Sequence, residues 1–194
     1  MRQGLLERFT LLGDPTLLLL GGLALFFYLW SSEERRALAP GWAVAFLLCV
    51  FLTVASKFLF YLFGWNGARA WRLLSPSGHV AIATSFYGCC AMMLAAGRSP
   101  TVRRLIGIGT VALLGMLAAS RLLLGLHSIP EIAVAFAIGV FCLAVFKVHP
   151  GTRRPIVLNA GHVISLLLLI GVAHYGRVNG EPLIARIVQK VEGL

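Results

Sequence analysis

The stretch GWAVAFLLCVFLTVASKFLFYLF, residues 41–63, runs for 23 residues with a single charge, Lys57. A segment of about 17–25 apolar residues is what an α-helix needs to cross a hydrocarbon core. Five further runs of the same character lie at 15–31, 79–97, 104–126, 129–147 and 156–175. Over the whole chain of 194 residues, 59% are hydrophobic and 12% charged, against roughly 25% charged in an ordinary soluble domain. Lipid offers the backbone no hydrogen-bonding partner, so a spanning segment must satisfy itself as a helix or pair within a closed barrel. Barrel strands are shorter and alternate in polarity. The expectation is an all-α bundle of six transmembrane helices forming one domain, residues 1–194.

Counting the runs in order puts the loops 32–40, 98–103 and 148–155 on one side of the membrane. Both termini, the loop 64–78 and the string 120–131 fall on the other. The first side holds Arg35, Arg36, Arg98, Arg103, Arg104, Lys147, Arg153 and Arg154, which by the positive-inside rule makes it cytoplasmic. The net charge of +10 is dispersed over these short loops and forms no single basic stripe, which argues against nucleic acid as a partner. No small-residue cleavage site follows the first apolar run, so it is expected to remain as a helix. The four cysteines, Cys49, Cys89, Cys90 and Cys142, fall inside apolar runs and suit packing better than a disulfide framework or zinc site. Seven carboxylates, mostly scattered in loops and tails, make a carboxylate-built metal site unexpected.

Two polar strings on the outer side interrupt this pattern: SPSGH at 75–79 and SRLLLGLHSIPE at 120–131. Ser75 followed by Pro76 reads as an N-cap and first helical position. The N–H groups of Ser77, Gly78 and His79 would then point out of a helix end, an arrangement suited to an anion. In the second string Ser128, Pro130 and Glu131 have the spacing of a capping box. That accounts for Glu131 without explaining His127 or Arg121. Lys57, at membrane depth, is a functional candidate by default, although a lysine can also snorkel to the interface. Arg121 could equally neutralise the negative end of its helix. His127 could be an interfacial histidine, and SPSGH an ordinary helix start.

Taken together, these groups match what phosphoryl transfer requires. The transition state is stabilised mainly by positioned cations and N–H donors. Arginine offers a planar fork to phosphate oxygens and lysine a compact charge. One imidazole can attack phosphorus while a second protonates the leaving oxygen.

In these residues the chain resembles the type 2 phosphatidic acid phosphatase superfamily, membrane lipid phosphatases related in fold to vanadium haloperoxidases. The family motif Pro-Ser-Gly-His matches Pro76, Ser77, Gly78 and His79; the motif Ser-Arg-x5-His-x3-Asp matches Ser120, Arg121 and His127, with Glu131 in place of aspartate. The motif-bearing region runs from Lys57 to Glu131. The resemblance implies a six-helix bundle of the lipid phosphate phosphatase type. It also implies roles: His127 as the nucleophile that becomes phosphohistidine, His79 as the general acid, and Glu131 as the group orienting His127. Lys57, Ser77, Gly78 and Arg121 would bind phosphate oxygens. The first motif, Lys-x6-Arg-Pro, departs from the family: after Lys57 the corresponding positions are Gly64 and Trp65. Arg72 or Arg69 could supply the missing charge, or either could anchor a headgroup. No metal or cofactor is expected. The implied substrate is a lipid phosphate or diphosphate, such as undecaprenyl diphosphate, phosphatidate, phosphatidylglycerophosphate or lipid A, met at the periplasmic face of a bacterial inner membrane. A lipid phosphotransferase and a catalytically silent lipid-binding protein are the alternatives.

Overall fold

The fold was obtained as a computed structural model in which residues 10–63 and 75–150 are described. Arg69, Arg72 and the apolar run at 156–175 lie outside the described residues. Within them the regular elements are all helices: α1 (Pro15–Trp30), α2 (Glu33–Arg36), α3 (Ala39–Phe63), α4 (Gly78–Ala95), α5 (Pro100–Leu123) and α6 (Ile129–Val148). Four of these, α3 to α6, are long and apolar enough to cross a membrane, and α1 is a shorter apolar helix of 16 residues.

Local chemistry sets the helix starts. The Asp14 side chain accepts from the N–H groups of Thr16 and Leu17 at 2.9 and 3.0 Å, and Pro15, which has no N–H to leave unpaired, opens α1. Ser99 and Pro100 repeat the device at α5. That helix therefore begins four residues before the expected 104: a hydropathy reading stops at Arg103 and Arg104, whereas the cap signal lies upstream of them. Its end, too, comes earlier than the expected 126. The N–H of Gly125 donates to the Leu122 carbonyl at 3.0 Å and that of Leu126 to the Arg121 carbonyl at 3.1 Å, a Schellman ending. Gly125 takes the left-handed φ of 67° that this motif requires.

The start of α4 corrects the sequence expectation. Ser75 and Pro76 do not cap it; Ser77 is the N-cap and Gly78 the first helical residue. A tertiary bond overrides the local signal, because the Ser75 N–H donates to the Glu131 side chain at 2.8 Å and holds Ser75 and Pro76 against α6.

Helix α4 is the hub, packed on α1, α3, α5 and α6. Of its apolar window 61% is buried, against 28% in α3, 28% in α5 and 33% in α6. Its small residues allow this central position: Ala81, Ala83, Thr84, Ser85 and Gly88 are buried along it. On α6, a Cβ added to Gly139 would lie 2.5 Å from Thr84 Cβ and 2.9 Å from the Ala81 carbonyl oxygen, so the α4–α6 crossing depends on glycine. Close approach through small residues is the usual way helices pack in lipid, where hydrophobic burial gives no advantage. A ring cluster of Trp42, Phe46 and Phe86 fills the α1–α3–α4 junction, with Trp42 stacked on Phe46 at 4.8 Å. The Trp42 indole N–H is satisfied by the Gly22 carbonyl at 3.0 Å.

The surface is inverted relative to a soluble protein. Leu23, Phe27, Leu47, Phe51, Leu105, Val111 and Val140 point outward, while Lys57, Ser77, Ser120, Arg121 and Glu131 are buried. Apolar residues outside and charges inside are the arrangement a lipid solvent selects. The chain is an all-α integral membrane protein.

Candidate active site

The buried charges converge at one end of the bundle. Lys57 enters from α3, with Thr53 one turn before it; a Cβ built on Gly78 would sit 3.5 Å from Thr53 Cγ2 and 3.7 Å from Lys57 Cε. The lysine stem therefore ends against the first residue of α4. A Cβ there would be in ordinary van der Waals contact with both side chains, so Thr53 and Lys57 pack directly on the start of α4. Lys57 is 7% exposed and lies within the bundle, which removes the snorkelling alternative.

At the same helix end Ser77 contributes a hydroxyl that is fully buried and has no hydrogen-bond partner among the described residues. Its side chain does not cap α4, so the first-turn N–H groups of Gly78, His79 and Val80 keep their outward donor capacity. The anion-facing donors are thus displaced from the expected set: the Ser77 N–H is turned to the Glu131 carbonyl at 3.4 Å.

Helix α5 brings Arg121, 5% exposed, on its last turns. The Arg121 carbonyl accepts from the N–H groups of Leu126 and His127 at 3.1 and 3.4 Å. One residue thus presents a guanidinium to the site and anchors the turn that carries the histidine. His127 Nδ1 lies 3.1 Å from Glu131 Oε2. That same oxygen accepts from the Ser128 N–H at 2.8 Å, which is the glutamate's half of the capping box at the start of α6, while Oε1 takes the Ser75 N–H at 2.8 Å. An ionised carboxylate only accepts, so this pairing assigns a proton to Nδ1, and in the neutral ring Nε2 is then the unprotonated nitrogen of His127. The methylene by which glutamate exceeds aspartate is accommodated: the longer arm reaches across to Ser75 and pins the two polar strings to each other.

His79, on the first turn of α4, is within electrostatic reach of Arg121, His127 and Lys57. The structure therefore brings together seven of the sequence-selected residues, Lys57, Ser77, Gly78, His79, Arg121, His127 and Glu131, from four helices. Arg69 and Arg72 fall outside the described residues. Sequence reasoning missed Thr53, whose signal is its position four residues before Lys57 on one helix face, and the backbone role of Ser75, which has no local signal. Among the described residues no three His, Cys, Asp or Glu side chains are grouped as a metal site would need. His149 caps the far end of α6 and packs on Gly41, a packing role; His162 and His174 lie outside the described residues.

No family model matches the chain, and no solved structure matches it. Among curated proteins it is similar to an uncharacterized 22.5 kDa protein in the cps region of Klebsiella pneumoniae. The two are 31% identical over 137 residues, which is 70% of this chain and 65% of the length of that relative.

Proposed function

We propose that the protein is an integral membrane phosphatase of the type 2 phosphatidic acid phosphatase kind, hydrolysing the terminal phosphate of a lipid phosphate or diphosphate. The observation that carries this reading is the pairing of a carboxylate-oriented imidazole, His127, with a second imidazole, His79, beside two buried cations and a helix N-terminus. Each part has a task. The Nε2 lone pair of His127 attacks phosphorus, forming an N–P bond as the bond to the lipid oxygen breaks. His79 delivers its proton to that departing oxygen. Glu131 holds the Nδ1 proton and supports the positive charge that the ring acquires. Lys57, Arg121, the Ser77 hydroxyl and the N–H groups of Gly78 and His79 neutralise the phosphoryl oxygens, where most of the stabilisation of such a transition state arises. Water then attacks the phosphohistidine, returns its proton through His79 and releases inorganic phosphate.

The lipid tail stays in the bilayer beside the exposed leucines of the second polar string. The excess of basic residues in the opposite loops supports a cytoplasmic position for that face, and with it a site at the periplasmic face of a bacterial inner membrane. The similarity to a protein from a bacterial cps region is compatible with a bacterial envelope.

The test is phosphate release by detergent-purified protein from a panel of lipid phosphates and diphosphates, with chelator present, for the wild type and His127→Ala. Release that survives chelator and falls by about 10³-fold or more in the variant is the expected result. Folded protein releasing phosphate from no lipid would overturn the reading, and label appearing on a second lipid would turn it into a phosphotransferase.

A further inference from the structure

Three contacts tie the chain just before α1 to α4 and to the last turns of α5. Thr10 and Leu11 are helical and the chain turns at Leu12 and Gly13. The Thr10 hydroxyl lies 2.9 Å from the Ser120 hydroxyl. The Tyr87 hydroxyl on α4 donates to the Leu12 carbonyl at 2.7 Å. At Gly13 a Cβ would come within 2.7 Å of the Leu117 side chain, so a side chain there would require Leu117 to move, and glycine lets the segment lie directly on α5. These contacts bridge the middle of α4 and the last turns of α5, next to Arg121.

The direction of the first bond follows from proton inventory. The hydroxyl of Ser120 already donates to the Leu117 carbonyl at 2.7 Å, and a serine has one proton to give. Thr10 is therefore the donor. Ser120 is fully buried and immediately precedes Arg121, whose carbonyl closes the turn into His127. Among the described helices the main neighbour of α5 is α4; along its first half Val102, Leu105, Ile108 and Val111 are exposed, whereas Leu117, Ala118, Ser120 and Arg121 near its end are buried.

We propose that Thr10 is a positioning residue, and that the Thr10–Gly13 segment is a strap setting the place of Arg121 and His127 through Ser120. The proposal rests on the phosphatase reading for its functional consequence. Thr10 touches no substrate; it acts by preventing a small displacement of the turn, and misplacement of this kind costs activity steeply.

The experiment compares wild type, Thr10→Val, Thr10→Ser and Arg121→Ala, with the double variant Thr10→Val/Arg121→Ala. Thr10→Val keeps the shape and removes the donor. Its kcat/KM is expected to fall about tenfold with the thermal midpoint unchanged, and Thr10→Ser to recover to within about twofold. In the Arg121→Ala background Thr10→Val is expected to add little, because both changes act through one group. Additive losses, or wild-type activity in Thr10→Val, would overturn the proposal. Amide exchange at residues 120–127 gives a readout that does not depend on turnover: faster exchange in Thr10→Val supports the strap, and unchanged exchange sinks it. A wild type without activity, but with exchange that responds to Thr10→Val, would reject the phosphatase reading and leave the strap standing.

Discussion

The two ends of the bundle use the same residue types in opposite ways. At one end Arg36, Arg98, Arg103, Arg104 and Lys147 are exposed. Arg35 is half-buried, its guanidinium 4.0 Å over the Tyr28 ring and bonded to the Tyr28 hydroxyl, and Arg36 lies over Trp30. Aromatic faces and water support these cations, as expected of charges at an interface. At the other end Lys57, Arg121 and Glu131 are buried. Burying a charge costs several kcal/mol unless other groups compensate it. The compensation is visible for Glu131, which accepts three hydrogen bonds with its side chain and one with its carbonyl. Charge at the basic end stays wet, whereas charge at the opposite end is enclosed and held.

The sharpest way to break this comparison is to remove one arginine from each end. Arg121→Ala is expected to lower kcat/KM by about 10²-fold, the usual loss on removing a group that neutralises transition-state charge. Arg103→Ala is expected to change it by less than about twofold. Phosphate release from the preferred lipid measures both. Equal effects from the two variants would show that the enclosed arginine holds no special place.

Within the site, Glu131→Asp tests whether the longer arm matters. Aspartate is the residue of the family pattern, yet the present geometry asks one carboxylate to reach the Ser75 N–H, the Ser128 N–H and His127 together. Shortening it by one methylene releases at least one of these. The expected outcome is a loss of about tenfold in kcat/KM, with faster amide exchange at Ser75. An aspartate variant as active as the wild type, with Ser75 still protected, would mean that the two strings are pinned by other contacts.

What the sequence made legible, and what it hid, follows from the range of the interactions. The long apolar helices α3 to α6 could be read because each is a continuous local run. The His127–Glu131 pair was implied only by the resemblance to a family motif, because the local pattern accounts for Glu131 as a cap and leaves His127 unexplained. The cap at Ser75 was misread because its N–H is claimed by Glu131, 56 residues away, and no local rule carries that information. The contact between Thr10 and Ser120 joins residues 110 apart through two hydroxyls of the kind found in any loop, so it leaves no pattern to find. The approach of Lys57 to Gly78 was hidden too: each residue was conspicuous alone, but only the packing of α3 on α4 sets their register. The match of Ser77, Gly78 and His79 to a family motif indicated the right helix end while leaving its first turn misplaced by two residues.

The smallest predicted effect separates the two ends by backbone alone. Gly125 and Gly97 are the glycines with positive φ among the described residues, at 67° and 71°. Gly97 follows α4 at the basic end; Gly125 follows α5 at the site. Nothing lies within 4 Å of a Cβ added to Gly125, so alanine there meets no steric block and costs only the left-handed conformation, about 1 kcal/mol. Both Gly97→Ala and Gly125→Ala are therefore expected to lower thermal stability, by about 1 kcal/mol or somewhat more. Activity should tell them apart. The Gly125 turn directs the chain from the Arg121 carbonyl to His127, so relief of its strain shifts the imidazole, and kcat/KM is expected to fall by about threefold to tenfold. Gly97→Ala should leave it unchanged once the assay is run well below the unfolding midpoint. If both variants lose activity in proportion to stability, the Schellman turn is a structural ending only, and the placement of His127 rests on Glu131.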